Sequence, residues 1–151
     1  MGGCCRKEED VRVRWKEHFE EVMGGENDAR VIITSFGMGG EGRRVTRQGP
    51  ITKREVKRAI GKLKMGKAPG VDGVTAEMLK AGGETVVEWL HWICCLAWEQ
   101  GVVPDEWVMA IIVPIYKGKG CRSECSSYRG VSLLSIPGKV YGMVLIERVK
   151  I

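Results

Sequence analysis

Apolar residues recur at helical spacing in several stretches of the chain and run together in two others. Val11, Trp15, Phe19 and Val22 are spaced by four, four and three residues, one face of a helix over about 6–23. Periodicity is then lost and glycine accumulates, so residues 24–50 read as a linker of low order with only a short strand at Val31–Ile33. Order returns at Ile51. Thr52 and Glu55 form a capping box, Ile51 can staple onto Val56, and Ile60 and Leu63 extend the face, predicting a helix over 53–64. A glycine-rich turn over 66–73 ends it, and Thr75 is the N-cap expected of a short helix closed by Gly82 and Gly83. Val86, Leu90, Ile93 and Ala97 mark a further helix over 84–100, with Trp89, Leu96 and the cysteines widening its stripe. Such a helix is expected to be buried on several sides, to end at Gly101 and to be barred from continuing by Pro104. Val108–Tyr116 reads as a strand interrupted or bounded near Pro114, and Val131–Leu134 as a second short strand. Pro137 opens a last helix through Val140 and Val144 that meets no stop signal. The pattern predicts an α+β chain, mainly helical.

Composition narrows this picture. With 151 residues, 44% hydrophobic and 28% charged, the chain has the length and balance of one globular domain, which excludes collagen-like, mucin-like and wholly disordered classes. Its longest apolar stretch, Trp89–Trp98, falls short of the roughly 17–25 residues of a membrane-spanning helix. The N-terminus turns charged where a secretory apolar region would stand, and Arg6 occupies the position where a myristoylation signal has Ser or Thr. The cysteines fall as Cys4–Cys5, Cys94–Cys95 and Cys121-x3-Cys125, unlike a secreted disulfide framework, so an intracellular setting is expected, cytoplasmic or nuclear, with no membrane partner.

Charge is unevenly spread. Residues 1–50 and 81–151 are each balanced, whereas residues 51–80 carry eight basic side chains (Lys53, Arg54, Lys57, Arg58, Lys62, Lys64, Lys67, Lys80) against three acids, which is the whole excess of +5. A local positive field of this kind draws a polyanion such as nucleic acid, but it also describes a solvated helix face.

Candidate chemistry is sparse. Gly61–Ala68 approaches a phosphate-binding loop, but a helix precedes it and Ala68 stands where the magnesium-binding hydroxyl belongs. His91, Cys95, Cys121 and Cys125 could be imagined around zinc, since His91 and Cys95 share a helix face; thiols acting as small hydrophobes explain Cys94 and Cys95 better. His18 and His91 belong to helical patterns with no nucleophile signature nearby, and Asp72 and Asp105 stand in turns where a carboxylate usually caps a backbone amide. The segment Ile112–Leu134 differs in kind. A strand delivers Lys117 into a glycine-bounded turn and Arg129 precedes a second strand, so a hairpin would let an ammonium and a guanidinium converge on one anion; two exposed loop cations are the plainer alternative.

Four blocks, KLKMGKAPGVDGVTAEMLKAGG, GVVPDEW, IIVPIYKGKG and SSYRGVSLLSIPGKVYGMVLIERV, together resemble the N-terminal part of a reverse transcriptase from a non-LTR (long interspersed) retrotransposon, and RWKEHFEEVM at 14–23 resembles the helix that precedes the polymerase domain. The resemblance covers about residues 51–151. It implies an N-terminal helical segment (1–23), a linker (24–50) and a partial right-hand polymerase fold (51–151) with fingers and the start of a palm. It further implies that Lys117 and Arg129 contact an incoming deoxynucleoside triphosphate, and that Lys64, Lys67, Gly70 and Asp72 lie by an RNA or DNA template-primer. Family members commonly carry an acidic residue where Cys121 stands, Asn at Ser127 and Arg near Met143, so the nucleotide-side loop departs from the pattern.

The magnesium-binding aspartates of the full-length family include an aromatic-x-Asp-Asp turn, and the chain contains none. No catalytic residue, metal ligand or cofactor is therefore expected in it, and alone it should not polymerise, because metal positioning carries this chemistry. Two alternatives stand beside this reading: a basic helical module using 51–67 for nucleic acid and the Trp-rich helix for a partner, and a non-functional remnant of a mobile element.

Overall fold

The computed structural model describes residues 8–23 and 49–149. Their elements, in chain order, are α1 (Glu8–Met23), α2 (Lys53–Gly61), α3 (Ala76–Ala81), α4 (Gly83–Gln100), the single turn α5 (Asp105–Val108), β1 (Ala110–Tyr116), β2 (Tyr128–Leu134) and α6 (Ile136–Val149). The chain is thus α+β and mainly helical, with one two-stranded sheet. The linker expected over 24–50 lies outside the described residues except for Gly49 and Pro50, as does the short strand at Val31–Ile33.

Local chemistry explains the helix starts. Thr52 Oγ1 accepts from the Glu55 amide while Glu55 reaches back to the Thr52 amide at 2.7 Å, so both halves of the capping box form. Thr75 accepts from Met78 N and starts α3, whose C-cap Gly82 leads straight into α4. Gly101 closes α4 in the left-handed conformation (φ 66°), a geometry that costs glycine no Cβ clash. Ser135 caps α6, its hydroxyl accepting from Gly138 N at 3.1 Å.

Two compact units result, one holding α1 and residues 113–131, the other residues 49–112 and 132–149. The second unit's core is built by Ile51, Val56, Ile60 and Leu63 of the α2 region, Leu79 of α3, Val87, Leu90, Cys94 and Ala97 of α4, and Ile136, Val140 and Val144 of α6. Glycine permits one close approach: a Cβ on Gly138 would lie 2.9 Å from Trp107 Cβ, and the Trp107 ring packs on Tyr141 at 5.5 Å. In the first unit Trp15 stacks on Phe19 (5.7 Å) and meets Tyr128 edge-on (4.8 Å).

Several expectations are corrected. Helix α2 stops at Gly61, and α6 starts one residue before Pro137. The α4 stripe is rotated: Val87 and Cys94 are buried, whereas Trp89 and Trp92 are 72% and 64% exposed, so α4 buries a single side. On α1, Phe19 is buried and Val11 and Val22 are exposed. Val108 ends a helical turn, and β1 runs through Pro114 unbroken. The register explains that continuity. Lys117 N donates to Ser127 O at 2.9 Å, which sets 117 opposite 127 and Pro114 opposite Gly130, a position whose amide points away from the partner strand. Proline there removes no ladder bond.

Candidate nucleic-acid and nucleotide interface

The hairpin register also fixes where the two candidate nucleotide-binding cations stand. Lys117 faces Ser127 across the ladder and Arg129 faces Ile115 one step along, so both lie on the same face of the ribbon as diagonal neighbours, roughly 7–8 Å apart at the backbone. The other face carries Tyr116 and Tyr128, whose rings are 5.4 Å apart. Arg129 is exposed, and its guanidinium shows no hydrogen bond or ion pair to the described residues. Lys117 is held: its ammonium donates to Ser126 O at 2.8 Å. Ser126 belongs to the turn linking the strands, in which Gly118 and Gly120 take positive φ (80° and 88°) and Tyr116 Oη donates to Gly120 O.

The second candidate surface is the loop between α2 and α3. Four bonds pin it. Glu77 accepts from Gly66 N at 2.6 Å, which holds its carboxyl below the usual carboxylate range, and the Lys80 ammonium donates to Leu63 O at 2.7 Å. Ser135 Oγ donates to Asp72 Oδ2 at 2.6 Å, while Asp72 Oδ1 takes the Val74 amide. A Cβ at Gly70 would stand 2.5 Å from Ser135 N, so only glycine lets the loop backbone lie against the start of α6. Gly70 is buried and both Asp72 oxygens are engaged, so these two residues shape the loop. Lys64 and Lys67 stand out from it, exposed.

The remaining positive charge of this segment is largely answered on folding. Lys53 pairs with Glu88 (2.6 Å), Lys57 with Glu84 (2.7 Å), Lys62 with Glu147, and Arg58 lies 4.0 Å from the same Glu147. Exposed pairs of this kind add little stability, but they cancel the local field.

Sequence reasoning missed the most heavily bonded side chain among the described residues. Arg148 is 5% exposed. Its Nε and Nη2 grip the two Glu55 oxygens at 2.7 and 2.8 Å, Nη1 donates to Gly49 O at 2.8 Å, and Nη2 also donates to Pro50 O at 2.9 Å. The guanidinium lies 5.3 Å from the Trp98 ring centroid. The Arg148 hydrogen bonds lower the Glu55 carboxyl to about 2, against a smaller opposing effect of burial, with the Thr52 bonds adding to the depression. An arginine one residue from the end of the helix carries no sequence signal for this role.

His91 and Cys95 do share a face of α4, with Nε2 3.4 Å from Sγ, but His91 Nε2 also lies 2.8 Å from Ile51 O. Among the described residues no three His, Cys, Asp or Glu side chains gather to hold a metal ion. No helix among the described residues is long and apolar enough to cross a membrane.

No protein-family model matches the chain. Curated relatives do. The chain is 33% identical over 97 residues, 64% of its length, to a 115 kDa protein of the type-1 retrotransposable element R1DM of Drosophila melanogaster. It is 31% identical over 98 residues to the RNA-directed DNA polymerase from mobile element jockey of the same species, and 30% identical over 95 residues to the Pol polyprotein of the type-1 element R1 of Bradysia coprophila. It spans about a tenth of the length of these relatives (10%, 11% and 10%). Over about two thirds of its own length, the chain is similar in sequence to proteins of non-LTR retrotransposable elements, among them an RNA-directed DNA polymerase.

Proposed function

We propose that residues 49–149 are the fingers-side segment of an RNA-directed DNA polymerase, with Lys117 and Arg129 receiving the phosphates of a deoxynucleoside triphosphate and Lys64 and Lys67 lying along the template-primer backbone. The observation that carries this reading is the common face of Lys117 and Arg129 on the hairpin, where a point charge and a planar fork stand within reach of one triphosphate. The homology to retrotransposon polymerases supplies the reaction class. The chain contains no aromatic-x-Asp-Asp turn, so it binds without polymerising, and magnesium-dependent primer extension by the purified chain would contradict that.

The test is equilibrium binding of a deoxynucleoside triphosphate to the chain. A charge-assisted hydrogen bond contributes about 1.5–3 kcal/mol, so Lys117→Ala and Arg129→Ala should each weaken binding roughly tenfold to a hundredfold. Arg129→Lys should remain weakened, because an ammonium cannot reproduce the fork. Unchanged affinity in both alanine variants sinks the reading.

A partner-binding module keeps one observation of its own: the outward Trp89 and Trp92. Its nucleic-acid half is weakened by the pairing of Lys53, Lys57, Arg58 and Lys62 with glutamates.

A further inference from the structure

We propose that Cys121 and Cys125 form a reversible disulfide across the hairpin turn, a modification site set between Lys117 and Arg129. The four described cysteines are all free, and they divide by environment. Cys94 is buried and its thiol is pushed up to about 12; burial raises Cys95 as well, so neither supplies thiolate readily. Cys121 is exposed and Cys125 partly so, in a turn that holds Lys117, Lys119 and Arg122 against one acid, Glu124, an accessible setting of net positive charge in which thiols exchange.

The backbone brings the pair round towards each other. Glu124 N donates to Cys121 O at 3.1 Å, closing a turn that keeps the Cα atoms of 121 and 124 within about 7 Å, and Cys125 follows at the start of a single 3₁₀ turn. A disulfide requires a Cα separation of usually about 4.4–6.8 Å, which a turn of this length can supply. The co-reactant is a small-molecule disulfide such as oxidised glutathione. The thiolate of one cysteine attacks a glutathione sulfur and expels one glutathione thiolate; the second cysteine, having lost its proton to solvent, attacks the mixed disulfide and expels the other. Two thiols become one S–S bond, and the two electrons leave with the two glutathione thiols.

The ring so closed fixes the turn that carries the Ser126 carbonyl on which the Lys117 ammonium rests. Resting on the nucleotide reading above, oxidation therefore selects the conformer with Lys117 engaged, and triphosphate affinity falls by about threefold or more.

The chain carrying Cys4→Ser and Cys5→Ser is equilibrated across a series of oxidised and reduced glutathione, alkylated and digested with trypsin. The expected result is the loss of two alkylatable thiols, with the peptides on either side of the Arg122–Ser123 bond joined until reductant is added. Adding Cys121→Ser should leave Cys125 as a glutathione adduct. Full alkylation of Cys121 and Cys125 throughout the series, or their pairing with other cysteines, overturns the proposal. With the bond verified by mass, equal triphosphate affinity in the two redox states overturns the coupling to Lys117. Absence of binding in both states removes the nucleotide reading and leaves the disulfide standing.

Discussion

Arg148 concentrates more of the second unit's polar bonding than any other side chain described. A buried guanidinium that satisfies a carboxylate and two carbonyls is costly to break, because removing it leaves Glu55 partly buried with its charge unmatched. Arg148→Ala should lower stability by about 3–5 kcal/mol, read as a fall in the urea midpoint. Acid reports on the same contact from the other side. Glu55 has a folded pKa of about 2 against an ordinary 4.5, so its contribution is fully present above 4.5 and is lost as pH falls from there towards 2. That contribution is at most about 3 kcal/mol. Urea midpoints measured between pH 5 and pH 2.5 should fall more steeply for the native chain than for Glu55→Gln, whose side chain does not titrate.

Among the elements, the loop of residues 62–75 shows how a stretch of glycine and lysine becomes ordered. Its anchors come from α3 and from the first residue before α6, so its shape depends on partners some sixty residues away in sequence, the Asp72–Ser135 bond spanning 63. Gly70→Ala should force the Ser135 backbone to shift and destabilise the chain by about 1–3 kcal/mol. Ser135→Ala should cost about 1–2 kcal/mol by removing the α6 cap and the Asp72 bond together, and thermal melts distinguish both variants from a Gly61→Ala control, whose added Cβ meets nothing within 4 Å. The helix starts were legible in the sequence because Thr52, Glu55 and Thr75 act within four residues of themselves. The orientation of α4 was not, because an apolar helix offers several stripes and only its neighbours select one. Asp72 shows the same limit at the candidate site: its turn role with Val74 was readable, its bond to Ser135 was not.

For the molecule as a whole, the charge map changes on folding. The excess of +5 sits in residues 51–80 of the sequence, yet Glu84, Glu88 and Glu147, all from outside that segment, meet four of its cations, Lys53, Lys57, Arg58 and Lys62. What stays available to a polyanion in that segment is Arg54 on α2 and the loop pair Lys64 and Lys67, together with the separate cations of the hairpin. Binding to a nucleic-acid duplex should accordingly lose about one unit of log–log salt slope for each of Lys64→Ala and Lys67→Ala. Lys53→Ala and Lys57→Ala should leave the slope nearly unchanged. Equal effects from all four would return the interface to the helix face.

The grip of Arg148 on Glu55 joins residues 93 positions apart, and its hold on Gly49 reaches 99. A growing polypeptide therefore emerges with its capping box in place long before the guanidinium that neutralises it has been translated. Until residue 148 clears the ribosome, the early helices wait as an unlatched assembly, and final closure falls to the slow, long-range end of the folding reaction.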